Sequence, residues 1–137
     1  MVIGEHGESM VPLPRFSSVS GVPLEKFLSK KKMDEAVEMT RKIAAEVIAL
    51  KGATIYGPSA SVASMVDAIV NDRKSLMPAS VYLNGEFGVS DIYIGVPAII
   101  GRDGIERIVE VPLDEAERAI FLKGVTSLKD AISTLNL

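Results

Sequence analysis

The segment Gly4-Glu5-His6-Gly7-Glu8-Ser9 gathers the side chains of this chain best suited to chemistry. Imidazole titrates near neutrality without assistance, so a positioned histidine can give or take a proton during a reaction. Glycines at 4 and 7 let the backbone on either side of His6 approach a ligand closely. His6 is therefore the candidate acid or base, with Glu5 and Glu8 read as ordinary exposed carboxylates. Spacing alone leaves a second reading open, and it is the commoner one: a lone histidine solvated in a polar loop.

Composition removes the competing chemistries. The chain has 137 residues, 47% hydrophobic and 24% charged, the composition of one soluble domain. Fifteen Lys plus Arg against eighteen Asp plus Glu give a net charge of -3, so no basic excess is present to neutralise nucleic-acid phosphates. Apolar runs such as 96–100 are far shorter than the ~18 residues of a membrane span, and no membrane partner is expected. Without cysteine there is no disulfide, thiolate nucleophile or cysteine zinc site, and one histidine builds no His-rich site, so no metal is expected. Glu5-His6-Gly7-Glu8 follows the first residues in place of an apolar leader, which makes a cytoplasmic location the expectation.

Periodicity supplies the elements that must hold the histidine. Ala36, Val37, Ile43, Ala44, Val47 and Ile48 recur on one face of a helix predicted over 34–49, stopped by Gly52. Gly57-Pro58-Ser59 reads as a turn with Pro58 starting a second helix, whose stripe is Val62, Met65, Val66, Ile69 and Val70. Strand-like runs follow at 81–83, 92–100 and 105–111, separated by Asn84-Gly85 and the stronger hairpin signal Asp103-Gly104. Pro97 predicts a strand end, an edge or a bulge. Asp114 with Glu117 predicts a capping box before a third helix, with Ile120, Val125, Leu128, Ile132 and Leu135 on one face. Gly124 inside that helix suggests a close packing contact. The pattern is an α+β domain, an antiparallel sheet packed with about three helices. A G-x-G-x-x-G turn after a strand is missing, so most of any dinucleotide site lies elsewhere.

Three stretches in order carry a family resemblance. Ile3-Gly4-Glu5-His6-Gly7-Glu8-Ser9-Met10-Val11-Pro12-Leu13 resembles the active-site histidine segment of the NAD(P)-dependent L-malate and L-lactate dehydrogenases, with its pattern G-E-H-G-[DE]-S. Residues 51–61, Lys-Gly-Ala-Thr-Ile-Tyr-Gly-Pro-Ser-Ala-Ser, resemble the family's substrate-site turn, and 91–97, Asp-Ile-Tyr-Ile-Gly-Val-Pro, its carboxy-terminal sheet. Pro14-Arg15-Phe16-Ser17 and Tyr56-Gly57-Pro58 are most similar to the lactate-dehydrogenase-like malate dehydrogenases.

The resemblance implies that residues 1–137 are the substrate-binding, catalytic C-terminal domain, with the amino-terminal Rossmann domain, its arginine clamp and the aspartate partner of the histidine absent from this chain. It implies His6 as the catalytic acid/base in hydride transfer between NAD or NADP and a small 2-hydroxy or 2-keto dicarboxylic acid. Thr54 is implied to line the substrate pocket and Pro58 to pack near the nicotinamide, although a polar loop residue and a helix-starting proline account for the two equally well. Arg15 matches no clamping arginine. The implied partners are the missing Rossmann domain and further copies of the chain in a homo-oligomer. A lactate dehydrogenase fragment, or a non-catalytic binding or assembly module retaining the fold, are the alternatives. The isolated chain is expected to be inactive and to expose apolar surface.

Overall fold

The computed structural model describes residues 1–7 and 9–135. Glu8 lies outside them, so its reading as an exposed carboxylate finds no structural counterpart. The described chain begins with four two-residue strands, β1 (Val2–Ile3), β2 (Val11–Pro12), β3 (Ser18–Val19) and β4 (Val22–Pro23), pairing β1 with β2 and β3 with β4. Two helices follow, α1 (Lys30–Lys51) and α2 (Tyr56–Val70). Then come β5 (Ser75–Asn84), β6 (Ser90–Gly101) and β7 (Gly104–Ile108), an antiparallel sheet in that order, and finally α3 (Glu115–Ser133). The α+β class holds. Two compact units form, a helical unit of Met1 with Pro12–Met65 and a sheet unit of Val2–Val11 with Val66 onward.

Local chemistry explains the ends of these elements. Ser29 caps α1 by accepting the Lys32 amide, and Gly52 closes it in the left-handed region (φ 84) with its N–H donated to Ile48 at 2.7 Å. α1 thus begins before the predicted Asp34, because the cap at Ser29 acts upstream of the apolar stripe. α2 begins at Tyr56, two residues before Pro58; the proline falls in the first turn, where a missing N–H breaks no helical bond. The predicted capping box is complete: Asp114 accepts the Glu117 amide at 2.8 Å and Glu117 accepts the Asp114 amide at 2.9 Å.

In the sheet unit, Val81 and Leu83 of β5 and Ile92, Ile94, Val96, Ala98 and Ile100 of β6 point to one face and are buried, while Tyr82 and Tyr93 point outward. Phe121, Gly124 and Val125 are the buried residues of α3. The apolar face of α3 is therefore rotated from the predicted one, leaving Ile120, Ile132 and Leu135 exposed. Phe87, held at φ 54 in the turn after β5, is buried with its ring 5.5 Å from that of Phe121.

Pro97 lies inside the middle strand of the sheet, rather than at a strand end or an edge. Its partner across β5 is Pro78, and its carbonyl accepts the Val109 amide at 2.8 Å on the β7 side. The amide that proline lacks would have pointed the same way, just where β7 ends, so the ladder loses one bond at its fraying tip. The register of β7 covers only Ala98 to Gly101 of β6. Toward Ser90, that edge of β6 is left without β7.

Candidate functional site

The vacated edge is where the His6 segment attaches. Gly4 forms an isolated antiparallel bridge with Gly95. The Gly4 amide donates to the Gly95 carbonyl at 2.7 Å, and the Gly95 amide donates back to the Gly4 carbonyl at 3.2 Å. Gly4 holds φ +91, a conformation that disfavours any other residue, and a side chain there would meet Val11 at 3.4 Å and the Phe121 ring at 3.8 Å. The chain then turns out through Glu5 and His6 and closes with the Met10 amide donating to the Gly7 carbonyl at 3.1 Å.

Inside this loop the Ser9 hydroxyl donates to the Glu5 carboxylate, whose Oε1 lies 3.1 Å from where a Gly7 Cβ would stand. Glu5 is half-buried, folded onto its own loop, and not the exposed carboxylate expected from the sequence. The close contact suggested by Gly124 is present, since its ideal Cβ would sit 3.3 Å from the Glu5 Cβ and 3.7 Å from Ser9 Oγ. α3 thus supports the loop from one side and β6 pins it from the other. His6 alone among its flanking described residues is exposed. The arrangement presents one imidazole to solvent on a short loop tethered at both ends, a geometry suited to proton transfer with a bound molecule.

Thr54 lies in the connection between α1 and α2, and Pro58 in the first turn of α2; both are exposed and both belong to the helical unit. His6 belongs to the sheet unit. Arg15 stacks over the Phe16 ring, 4.3 Å from its centroid. Among the described residues, no group of three or more His, Cys, Asp or Glu could hold a metal ion, and no helix is long and apolar enough to cross a membrane.

The other polar clusters have structural roles. Lys74 Nζ bonds both Glu106 oxygens at 2.8 Å and lies 3.4 Å from Asp72, whose Oδ1 accepts the Arg102 amide at 2.9 Å. That amide holds the Asp72 carboxyl below its ordinary pKa, while the Glu106 carboxylate raises Lys74. Together they lash the segment after α2 to the β6–β7 turn. The Arg73 guanidinium similarly lowers Asp67. On the outer sheet face the Tyr82 hydroxyl donates to Asp91 at 2.8 Å, which raises its pKa.

Sequence reasoning missed Gly95 and the Glu5–Ser9 pair. A glycine inside an otherwise β-branched run was the available signal for the first, since it marks a close backbone approach. The second had none, because any loop of this composition could form or omit such a bond.

Comparison with known proteins bears on the whole chain. The family model for the lactate/malate dehydrogenase alpha/beta C-terminal domain matches residues 1–136. The chain is 44% identical over 137 residues to a malate dehydrogenase of Roseiflexus castenholzii, spanning 98% of this chain and 44% of that protein. It is 46% identical over 136 residues to one of Halalkalibacterium halodurans, spanning 98% and 43%. Among solved structures, the malate dehydrogenase from Aeropyrum pernix superposes with a TM-score of 0.91 at 46% identity, over 98% of this chain and 45% of that one. The malate dehydrogenase from Salinibacter ruber gives 0.93 at 35% identity, over 97% and 44%. The chain therefore spans less than half the length of each of these proteins.

Proposed function

We propose that this chain, which belongs to the lactate/malate dehydrogenase family as its alpha/beta C-terminal domain, is the substrate-binding, proton-transferring half of an NAD(P)-dependent L-malate dehydrogenase. The observation that carries the reading is His6, exposed on a loop pinned to β6 through Gly4, in a chain that matches the family model over 1–136.

In this reading protonated His6 gives its proton to the ketone oxygen of oxaloacetate, and in the reverse direction takes the hydroxyl proton of malate. A nicotinamide bound beside it would supply or accept the hydride. By the family resemblance, Thr54 would line the substrate pocket and Pro58 would pack near the nicotinamide ring. The rest of the cofactor does not fit this chain: the described residues contain no parallel βαβ unit and no glycine-rich strand-to-helix turn to cradle its pyrophosphate. A nucleotide-binding half, on the same polypeptide or a separate one, is thus the partner that holds NAD or NADP. The exposed apolar faces of α1 and α2 are suited to meeting that half or a further copy in a homo-oligomer. Oxaloacetate is favoured over pyruvate because the relatives at 44–46% identity are malate dehydrogenases. A cytoplasmic location accords with this chemistry.

The test supplies the nucleotide-binding half and follows oxaloacetate-dependent oxidation of NADH. The chain alone should bind neither NADH nor NADPH usefully. The assembly should be active, and His6→Asn should lower turnover ~10²–10⁴-fold with dinucleotide affinity little changed. A verified assembly with no activity on oxaloacetate, pyruvate or related 2-keto acids would make the non-catalytic module the better reading.

A further inference from the structure

β6 carries glycine at 95 in the interior of a strand, where a glycine weakens pairing and packs nothing. We propose that Gly95 is a positioning residue for His6: its bare Cα and paired backbone groups, with the Glu5–Ser9 bond at the other side, set where the imidazole stands. The proposal rests on the reading of His6 as acid/base.

Gly95 exchanges two hydrogen bonds with Gly4, at 2.7 and 3.2 Å. An ideal Cβ on Gly95 would stand 2.8 Å from the Gly4 carbonyl oxygen, a distance that real side chains essentially never show. The atom it meets is backbone, not the tip of a side chain that can swing aside. The Gly4 segment itself must therefore move if any side chain is placed at 95. Gly4 has little freedom to absorb that movement, because it sits at φ +91 with Val11 and Phe121 beside it. His6 follows two residues later, in a loop closed by the Met10–Gly7 bond and by Ser9 on Glu5. A displacement at Gly4 is thus passed to the imidazole. Misplacement of a reacting group by ~1 Å is enough to cost up to about 10²-fold in rate.

Gly101, on the same strand, provides the control. A Cβ there would collide with the Glu106 and Asp72 carboxylates, ends of side chains at the hairpin turn and not backbone beside Gly4. Two readouts separate positioning from general damage. The first is the proton spectrum of the chain, in which His6 is the one imidazole and gives an isolated line. The second is the steady-state kinetics of the chain assembled with a nucleotide-binding half.

Gly95→Ala should move the His6 line and lower kcat ~10-fold or more while leaving the KM for NADH within about twofold. Gly101→Ala should leave the His6 line and kcat in place. Equal effects of the two variants, or an active Gly95→Ala enzyme with wild-type kcat and an unmoved His6 line, would overturn the proposal. A wild-type assembly that turns over no 2-keto acid, with a His6 line that still moves on Gly95→Ala, would sink the reaction and leave the positioning intact. Should Gly95→Ala fail to fold, Ser9→Ala replaces it: a fall in kcat at unchanged thermal midpoint supports the seat, and wild-type kcat overturns it.

Discussion

The two compact units deploy apolar side chains in opposite ways. In the sheet unit, Val81 and Leu83 of β5, Ile92, Ile94, Val96, Ala98 and Ile100 of β6, and Phe87, Phe121 and Val125 are all buried. In the helical unit, Leu13 is the buried apolar residue among those described, and α1 buries none of its 22 residues. Leu50 and Tyr56 are 87% and 81% exposed, and Met39, Ile43, Ile48 and Val62 are exposed beside them. Burial of apolar area is what stabilises a tertiary arrangement, so the sheet unit carries the stability and the helical unit depends on caps and propensity. The imidazole is attached to the first kind of structure, while Thr54 and Pro58 sit on the second.

Truncating the core should give the largest difference. Phe121→Ala should destabilise the chain by ~3–5 kcal/mol, since it empties a buried aromatic site, whereas Leu50→Ala should change it by less than about 0.5 kcal/mol. Urea unfolding followed by circular dichroism measures both, and comparable losses would dissolve the distinction between the units.

The helix caps give the next difference. Asp114→Ala removes half of the capping box on a helix that packs Phe121 and Val125, and should lower the unfolding midpoint by an amount equivalent to ~0.5–2 kcal/mol. Ser29→Ala removes the corresponding cap of α1. There the expected result is faster amide exchange in the first turns of α1, with the sheet midpoint unmoved. A shift of that midpoint would mean that the helical unit contributes to the common stability after all.

What the sequence made legible follows the same division. The strands at 81–83 and 92–100, the Asp103-Gly104 hairpin and the Asp114 capping box were readable because each rests on neighbours in sequence. The two-residue strands β1 to β4 were not, because two residues have no period. The buried face of α3 was legible at Val125 but not at Phe121, since Phe121 and Ile120 are adjacent and equally apolar, and only contact with the sheet decides which turns inward. His6 was visible as a residue type, yet its attachment to Gly95 depends on a long-range backbone pairing that no local pattern encodes. For a binding role, Thr54 and Pro58 carried no signal beyond family resemblance.

The smallest expected effect is electrostatic. Asp72 is held below its ordinary value of 3.8 by the Arg102 amide. A carboxyl lowered in the folded state adds stability that is complete above its ordinary value and is lost as pH falls through the folded one. Lys74, raised from 10.5, contributes below that value and ceases to do so as pH climbs through its folded pKa. The denaturation midpoint of the sheet unit should therefore decline slightly below pH ~3.8, and Asp72→Asn should flatten that decline. Glu38→Gln on α1 should leave it as it is. An unchanged acid slope in Asp72→Asn would remove the lash between the segment after α2 and the β6–β7 turn from the account.

The shortness of β7 has a protective side. A strand whose N–H and C=O groups face solvent is a template for pairing with another chain. β6 is long and strongly apolar, and β7 leaves part of its edge uncovered. Gly4 occupies that edge at Gly95, so the peptide that presents the imidazole also blocks strand addition there. Loosening the loop would then have two effects at once, displacing the His6 imidazole and opening a sticky seam through which copies of the chain could aggregate.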